Sequence, residues 1–431
     1  MDWMLALLAL FNAVSMYALH LDRQAARVEP PWFLFAFSVV ASELAWIWLP
    51  IQVVVAEILI WSGALSSILG IVALLVLLAS WVYLGNSIRL ALRATQLTEA
   101  ALQQGLGANY RDVIPPQIQA GLEVQAPFKE WRLPFKMRRP GVERIRNISY
   151  GPGGIKHKLD IYRPTHIPDG GCPVLLQIHG GAWMMGSKEQ QALPLMNFMA
   201  SKGWICVSIN YRLSPSVGFP AHIEDCKRAL RWIRTQGQEY GMNPDFVAVT
   251  GGSAGGHLTA LMGLTANLQV LQQEFPDVDT TVQAAVPFYG IYDFLARFEH
   301  SNGDLFVRFA RGRVVYESPE ENPELWELAS PVSHVSTDSP PFMIVQGEID
   351  SLANVRGTHV FQQKLQDASN NPVVYLELPG AEHGFDGIHS PRTDAVIKGV
   401  HRFLEWSRAQ HASKPSAVEA EAEPAKETDP A

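Results

Sequence analysis

Two glycine-rich turns hold the residues of this chain best suited to chemistry: His179-Gly180-Gly181-Ala182-Trp183 and Gly251-Gly252-Ser253-Ala254-Gly255-Gly256. The second is a G-x-S-x-G turn between an apolar run, Phe246–Thr250, and a helix-like run beginning near Ala254. Such a strand-to-helix corner projects a serine hydroxyl from the backbone. The first is a turn of the kind that presents backbone N–H groups to a developing oxyanion. Together, in this order, they point to a serine hydrolase. An unactivated serine hydroxyl is a poor nucleophile at neutral pH, so a base is required nearby. His383, between Gly380 and Gly384 and just past the run Val373–Leu378, is the expected base; His179 and His257 are its competitors. The base needs an orienting carboxylate that stabilises its charged form. Asp350, just past the run Phe342–Gln346, is the expected one, with Glu348 as the nearest rival. The N–H groups of Gly180, Gly181 and Ala254 are expected to form the oxyanion hole, with His179 bracing the glycine loop through a side-chain hydrogen bond.

These residues must be positioned by a scaffold. From about residue 141 to 411 short β-branched runs alternate with longer amphipathic ones, the pattern of a mostly parallel sheet with helices on both faces. Expected strands are Val174–Ile178, Trp204–Ile209, Phe246–Thr250, Ala284–Phe288, Phe342–Gln346 and Val373–Leu378. Expected helices are Gln190–Ser201, Ile223–Tyr240, Ala254–Ala266, Thr358–Ala368 and Asp394–Ala409. Reactive groups in such sheets gather at the carboxyl ends of strands. Ser253, Asp350 and His383 each follow one of these runs. Residues 294–338 form an insertion expected to cap the site, with Phe298, Phe306, Phe309 and Trp326 either lining an acyl pocket or packed at the surface.

The motifs resemble the hormone-sensitive-lipase-like branch of the α/β-hydrolases, carboxylesterases with an H-G-G-G-W type loop. The resemblance runs from about Ile145 to Phe403 and includes Leu159-Asp160-Ile161-Tyr162, Asn210-Tyr211-Arg212-Leu213, Phe219-Pro220 and Asp225 beside the two turns. With its apolar front end the chain looks most like the membrane-attached carboxylesterases of mycobacteria. The resemblance implies an α/β-hydrolase fold, Ser253 as nucleophile, His383 as base and Asp350 as orienter, and no cofactor or metal ion. Four positions depart from the pattern. Ala182 stands for the third loop glycine, Gly252 for the acid often found before the serine, and Ser351 for the proline after the aspartate. Ser214-Pro215-Ser216 replaces the familiar Ala-Pro-Glu. A similar loop occurs in arylformamidases and in feruloyl and acetyl-xylan esterases. An arylformamidase-like amide hydrolase or a membrane acyltransferase using the same triad therefore stands as an alternative, and an inactive membrane scaffold as a third.

The rest of the chain concerns location. Residues 1–88 are almost devoid of charge, whereas the whole chain of 431 residues has a formal net charge of −8, which gives no reason to expect a nucleic-acid partner. Its 3 cysteines, an odd number without metal-ligand spacing, argue against a disulfide framework. A spanning helix needs about 20 apolar residues, and three spans are expected near 3–20, 32–54 and 63–85. The tight turn between the last two is expected around Glu57 and Trp61-Ser62-Gly63. The first span lacks the basic start of a signal peptide and is expected to be retained. Arg23 and Arg27 after the first span, and Arg89 and Arg93 after the third, put the catalytic domain on the cytoplasmic side of a cell membrane by the positive-inside rule. Glu43, inside the second span, is expected either to act in function or to sit protonated against a neighbouring helix. Residues 89–140 read as a helical and basic connector. From its Lys129 on to Arg146, the basic residues Lys129, Arg132, Lys136, Arg138, Arg139, Arg144 and Arg146 are interleaved with Phe128, Trp131, Leu133 and Phe135, either as a solvated linker or resting on anionic lipid. Residues 412–431 are expected to be disordered. The anticipated substrate is a small-molecule or lipid ester.

Overall fold

The computed structural model describes residues 1–20, 32–298, 303–353 and 355–413. Arg23, Arg27 and the tail from residue 414 lie outside the described residues. The apolar front end forms α1 (Asp2–His20), α2 (Trp32–Glu43), α3 (Ala45–Trp61) and α4 (Ile68–Leu92). α1 runs alongside α4 in the same direction. Ser67 Oγ donates to Asp2 at 2.7 Å at one end, and Asn12 Nδ2 reaches Ser80 Oγ at 3.1 Å further along. α3 returns beside them. Its Gln52 donates to Asn12 Oδ1 at 2.9 Å and accepts from Trp81 Nε1 at 2.9 Å. An all-apolar bundle has little to fix the rotation of its helices, and a buried, mutually satisfied amide cluster supplies that register.

The expected helix over 32–54 is not continuous. It breaks at Leu44, where Phe37–Glu43 and Ala45–Trp61 meet at 94°. A tertiary contact sits at the break. Glu43 does not bond to a neighbouring apolar helix. Its carboxylate pairs with Arg392 Nη1 at 2.7 Å and accepts from Ser390 Oγ at 2.7 Å, both far along the chain. Of the turn expected around Glu57 and Trp61-Ser62-Gly63, Ser62 and Gly63 open the turn at residues 62–67, whereas Glu57 is an exposed residue of α3. Among the described residues one helix, Ile68–Leu106, is long and apolar enough by itself to cross a membrane; the bent pair makes a second if taken together, and Asp2–Tyr17 is a shorter apolar helix.

α5 (Ala94–Leu106) continues from α4 but belongs to the packed domain rather than to a free connector. A side chain at Gly105 would meet Val374 Cγ2 at 2.8 Å, and Glu99 pairs with the buried Arg402 at 2.6 Å. Two short turns follow, α6 (Pro116–Gln119) and α7 (Phe128–Trp131). The catalytic sheet then forms from β1 (Val142–Ser149), β2 (Lys158–Pro164), β3 (Cys172–Ile178), β4 (Ile205–Ile209), β5 (Met242–Gly252), β6 (Ala284–Phe288), β7 (Phe342–Gly347) and β8 (Val373–Leu378). The eight strands lie in the order β1-β2-β4-β3-β5-β6-β7-β8, parallel except where β2 meets its neighbours. Between them run α8 (Leu193–Ser201), α9 (Ala221–Gln236), α10 (Ala254–Leu264), α11 (Gly303–Ala310), α12 (Pro323–Leu328), α13 (Val355–Ala368) and α14 (Pro391–Ala412).

The central strands are buried on both faces, which is why they read as continuous apolar runs. Along β3, Val174, Leu176 and Ile178 enter one core with Leu258 and Leu261 of α10; Leu175 enters the other with Phe198 of α8 and Phe403 of α14. The insertion folds over the first core. Trp326 is fully buried there, while Phe298, Phe306 and Phe309 pack half-buried against the same cluster. Trp326 is therefore a core residue rather than a pocket wall.

Candidate active site

Ser253 stands between β5 and α10 with φ 60° and ψ −123°, a conformation that L-residues rarely adopt. Packing forces this corner. A Cβ on Gly251 would lie 2.5 Å from the Ile178 carbonyl oxygen, and one on Gly255 only 2.1 Å from it. β3, β5 and α10 close on one another because both positions lack a side chain. The Ser253 amide donates to the Phe288 carbonyl at 3.0 Å, fastening the corner to β6.

Asp350 and His383 leave the carboxyl ends of β7 and β8 and meet. His383 Nδ1 lies 2.9 and 3.0 Å from the two carboxylate oxygens. The carboxylate is oriented from its other side by the amides of Leu352 at 2.9 Å and Ala353 at 2.7 Å, and by Gln346 Nε2 at 3.0 Å. A second buried acid, Glu382, accepts from the Ser351 amide at 2.8 Å and the His383 amide at 2.9 Å. One carboxylate thus stitches the acid loop to the base loop. Glu348, the rival acid, is exposed and accepts instead from the Gly380 amide at 2.9 Å. Burial disfavours a charged His383 imidazole, but contact with Asp350, together with nearby Glu382 and Asp386, outweighs it and raises the imidazole above its ordinary value of 6.5.

The competing histidines are committed elsewhere. His257, one turn into α10, accepts from Trp183 Nε1 at 3.1 Å and lies 2.8 Å from the Ala329 carbonyl through its other nitrogen. Burial pushes it down to about 3. His179 bonds the Gly180 carbonyl through Nδ1 at 2.8 Å and stacks on Tyr211 at 4.4 Å; burial lowers it to about 4. Both are neutral struts between the glycine loop and its surroundings.

The loop itself takes three successive left-handed residues, Gly181, Ala182 and Trp183, at φ 117°, 52° and 61°. Ala182 therefore holds the backbone that a third glycine would favour. Of the three expected donors, Ala254 is the first residue of α10, whose N–H has no partner within the helix. Gly180 lies close to the serine, since a Cβ there would be 3.0 Å from Ser253 Cβ. Its N–H, however, donates to Gln191 Oε1 at 2.6 Å. That amide is therefore already engaged.

Four residues that the motifs did not flag shape the site: Glu382, Gln191, Tyr289 and Asp386. The Tyr289 ring lies 4.5 Å from His383, and its hydroxyl donates to the buried Asp386. A Cβ on Gly252 would come within 2.7 Å of that hydroxyl oxygen, so the position before the serine is empty because Tyr289 fills the space. Burial raises the Asp386 carboxyl, against the Tyr289 bond and the His383 charge, which lower it. Tyr289 directly follows β6, so the strand-end rule that picked out Asp350 and His383 would also have reached it.

Known proteins give this geometry its setting. A family model described as BD-FAE matches residues 159–365. A probable carboxylic ester hydrolase of Mycobacterium tuberculosis, LipM, is 43% identical over 332 residues, covering 74% of each chain. The chain belongs to this carboxylesterase family. Esterase LipQ of the same organism is 41% identical over 318 residues, covering 73% of this chain and 75% of the relative. These carboxylesterases are of the hormone-sensitive-lipase-like α/β-hydrolase kind. Among solved structures, esterase B of Lactobacillus rhamnosis superposes with a TM-score of 0.55 at 20% identity, covering 66% of this chain and 91% of that one. That likeness concerns the fold alone. Family membership makes the protein an ester hydrolase.

Proposed function

We propose that this carboxylesterase is anchored in a membrane and works through an acyl-enzyme on Ser253. The observation that carries the reading is the His383–Asp350 contact at 2.9 Å, past the carboxyl ends of β7 and β8, the end of the parallel sheet at which β5 delivers Ser253. Ser253 Oγ attacks the ester carbonyl carbon while His383 takes its proton, and Asp350 stabilises the imidazolium that forms. The oxyanion of the tetrahedral intermediate accepts from the amides of Gly181 and Ala254, joined by Gly180 when Gln191 lets go. The imidazolium then protonates the departing alcohol. Water, deprotonated by the same histidine, attacks the acyl-enzyme and releases the acid.

The membrane part of the proposal has three crossing helices, α1, α3 and α4, with α2 lying across the end of the bundle nearest the catalytic domain. Its support is exposed apolar surface. Ile51, Val54, Val55 and Ile58 of α3 and Ile68, Ile71, Leu75 and Val82 of α4 all face outward, a larger apolar surface than a water-bathed monomer displays. Trp46 and Trp61 mark the two ends of α3. Arg89 and Arg93, both exposed just past the apolar part of α4, argue for a cytoplasmic catalytic domain. An enzyme so placed suits esters that partition into the bilayer.

The experiment uses detergent-solubilised full-length protein. Wild type hydrolyses p-nitrophenyl esters and is labelled by a fluorophosphonate; Ser253→Ala loses both. Unchanged turnover in that variant refutes the serine mechanism.

A further inference from the structure

The segment 128–138 is sorted by side-chain type in a way that the catalytic reading leaves unused. Facing inward are Glu130, which pairs with the buried Lys398 at 2.7 Å, Trp131, and Pro134, whose carbonyl accepts from the His389 amide at 2.9 Å. Facing outward are three large apolar side chains, Phe128 (56% exposed), Leu133 (48%) and Phe135 (71%). Among and just after them stand the exposed cations Lys129, Arg132, Lys136 and Arg138, none of which enters an ion pair among the described residues. The acids nearby are already used on the inner side: Glu123 pairs with Lys202 and Lys398, and Glu130 with Lys398. The outer face is therefore left with positive charge and exposed rings together.

The position of this face selects its occupant. Phe128 and Trp131 pack edge-on against Trp46, at 5.8 and 4.8 Å, and Trp46 is the second residue of α3 beyond the break. The patch thus continues from the domain end of the apolar helices. Ala41, Ala45 and Leu84 mark the same end, and Arg89 and Arg93 follow Leu84 by little more than a turn or two of helix. A protein partner would need to cover the rings and supply several acids at the mouth of the bundle. A leaflet of anionic lipid supplies both along one continuous surface, with headgroups for the cations and acyl boundary for the rings.

We propose that residues 128–138 seat on the headgroups of an anionic lipid leaflet. The inference rests on the membrane reading above and deepens it. Because Pro134 is bonded to the loop that follows His383, seating this face also holds the base side of the active site at headgroup depth. The ester substrates reached there are those resident in the leaflet.

The test uses the full chain in vesicles, carrying a single environment-sensitive NBD label on Phe135→Cys. The native Cys172, Cys206 and Cys226 are buried and leave the new thiol as the accessible one. In vesicles containing phosphatidylglycerol the label should shift to the blue and be quenched by brominated lipid. Added salt, or the combined substitutions K129E, R132E and K136E, should abolish both responses, since such attraction is screened. An equal shift in pure phosphatidylcholine overturns the anionic assignment. A shift that grows with protein density and shows no lipid quenching reports a second copy of the chain and also overturns it. A label on Val82→Cys, in the exposed apolar face of α4, separates the two levels. If position 82 is quenched by lipid and position 135 stays in water, this proposal fails and the membrane reading stands. If both stay in water, the membrane reading itself fails.

Discussion

The two halves of the candidate site are held by different means. On the acid–base half, carboxylates read backbone amides: Asp350 takes those of Leu352 and Ala353, and Glu382 those of Ser351 and His383. On the oxyanion half the shape resides in three successive left-handed torsions, and the side chains that touch it, His179, His257 and Gln191, are neutral. Charge sets the first half and backbone geometry the second. The difference separates what each half controls. Perturbing the acid–base half should move the pH dependence of turnover; perturbing the oxyanion half should change turnover and leave that dependence in place.

The largest effect is expected from Asp350→Asn. Loss of the orienting carboxylate lowers kcat by about 10⁴-fold. Its pH profile is the sharper measure. The His383 imidazole is raised above 6.5 by Asp350, so wild-type kcat/KM falls as pH drops through that raised value. Without the carboxylate the imidazole titrates lower, and the acid limb of the residual activity moves to lower pH. An unmoved limb breaks the comparison at its first term.

Gly181→Ala probes the other half. A Cβ there would stand 2.3 Å from the Met185 carbonyl oxygen, on a backbone at φ 117°. Displacing this donor should cost about 10²- to 10³-fold in kcat with the acid limb where it was. A shifted limb would mean that the halves are not separable.

Intermediate effects are expected where the apolar helices touch the base loop. Arg392 pairs with Glu43 and also donates to the Pro379 carbonyl at 3.1 Å, on the loop that leads to His383. Arg392→Gln leaves Glu43 buried and unpaired, a loss of about 3–5 kcal/mol measurable by denaturant unfolding in detergent. The loosened loop should lower kcat by up to about a hundredfold. Stability lost without any change in kcat would confine the pair to holding the parts together.

The smallest effect should come from Gln191→Ala. It frees the Gly180 N–H for a substrate oxygen, and kcat should rise by about two- to tenfold, the worth of one net hydrogen bond. A fall in kcat would show that Gln191 shapes the loop rather than competing for it.

How much of this was legible in the residues varies by region, for physical reasons. The central strands announced themselves because both faces are buried, leaving no polar alternation to confuse the pattern. β1 was missed because it pairs on one side only and carries Glu143, Arg144 and Arg146 among half-exposed positions. The break at Leu44 has no local signal. Apolar residues flank it on both sides, and its partner Arg392 is 349 positions from Glu43. At the site, the glycines around Ser253 and the strand ends before Asp350 and His383 were readable. The claim of Gln191 on the Gly180 amide was not, since nothing in a glutamine 11 residues downstream indicates which amide it will meet.

The Glu43–Arg392 pair also has a meaning in time. The acid is synthesised 349 residues before the base that neutralises it. At about 5–20 residues per second it waits on the order of 20–70 s on the ribosome. During that interval the nascent chain carries a carboxylate at the mouth of its helical bundle with no cation to meet it. Only the arrival of α14, the last helix of the domain, ends the wait. The first helices of this protein are therefore completed by α14, and a chain released before it displays its own incompleteness as an orphaned acid.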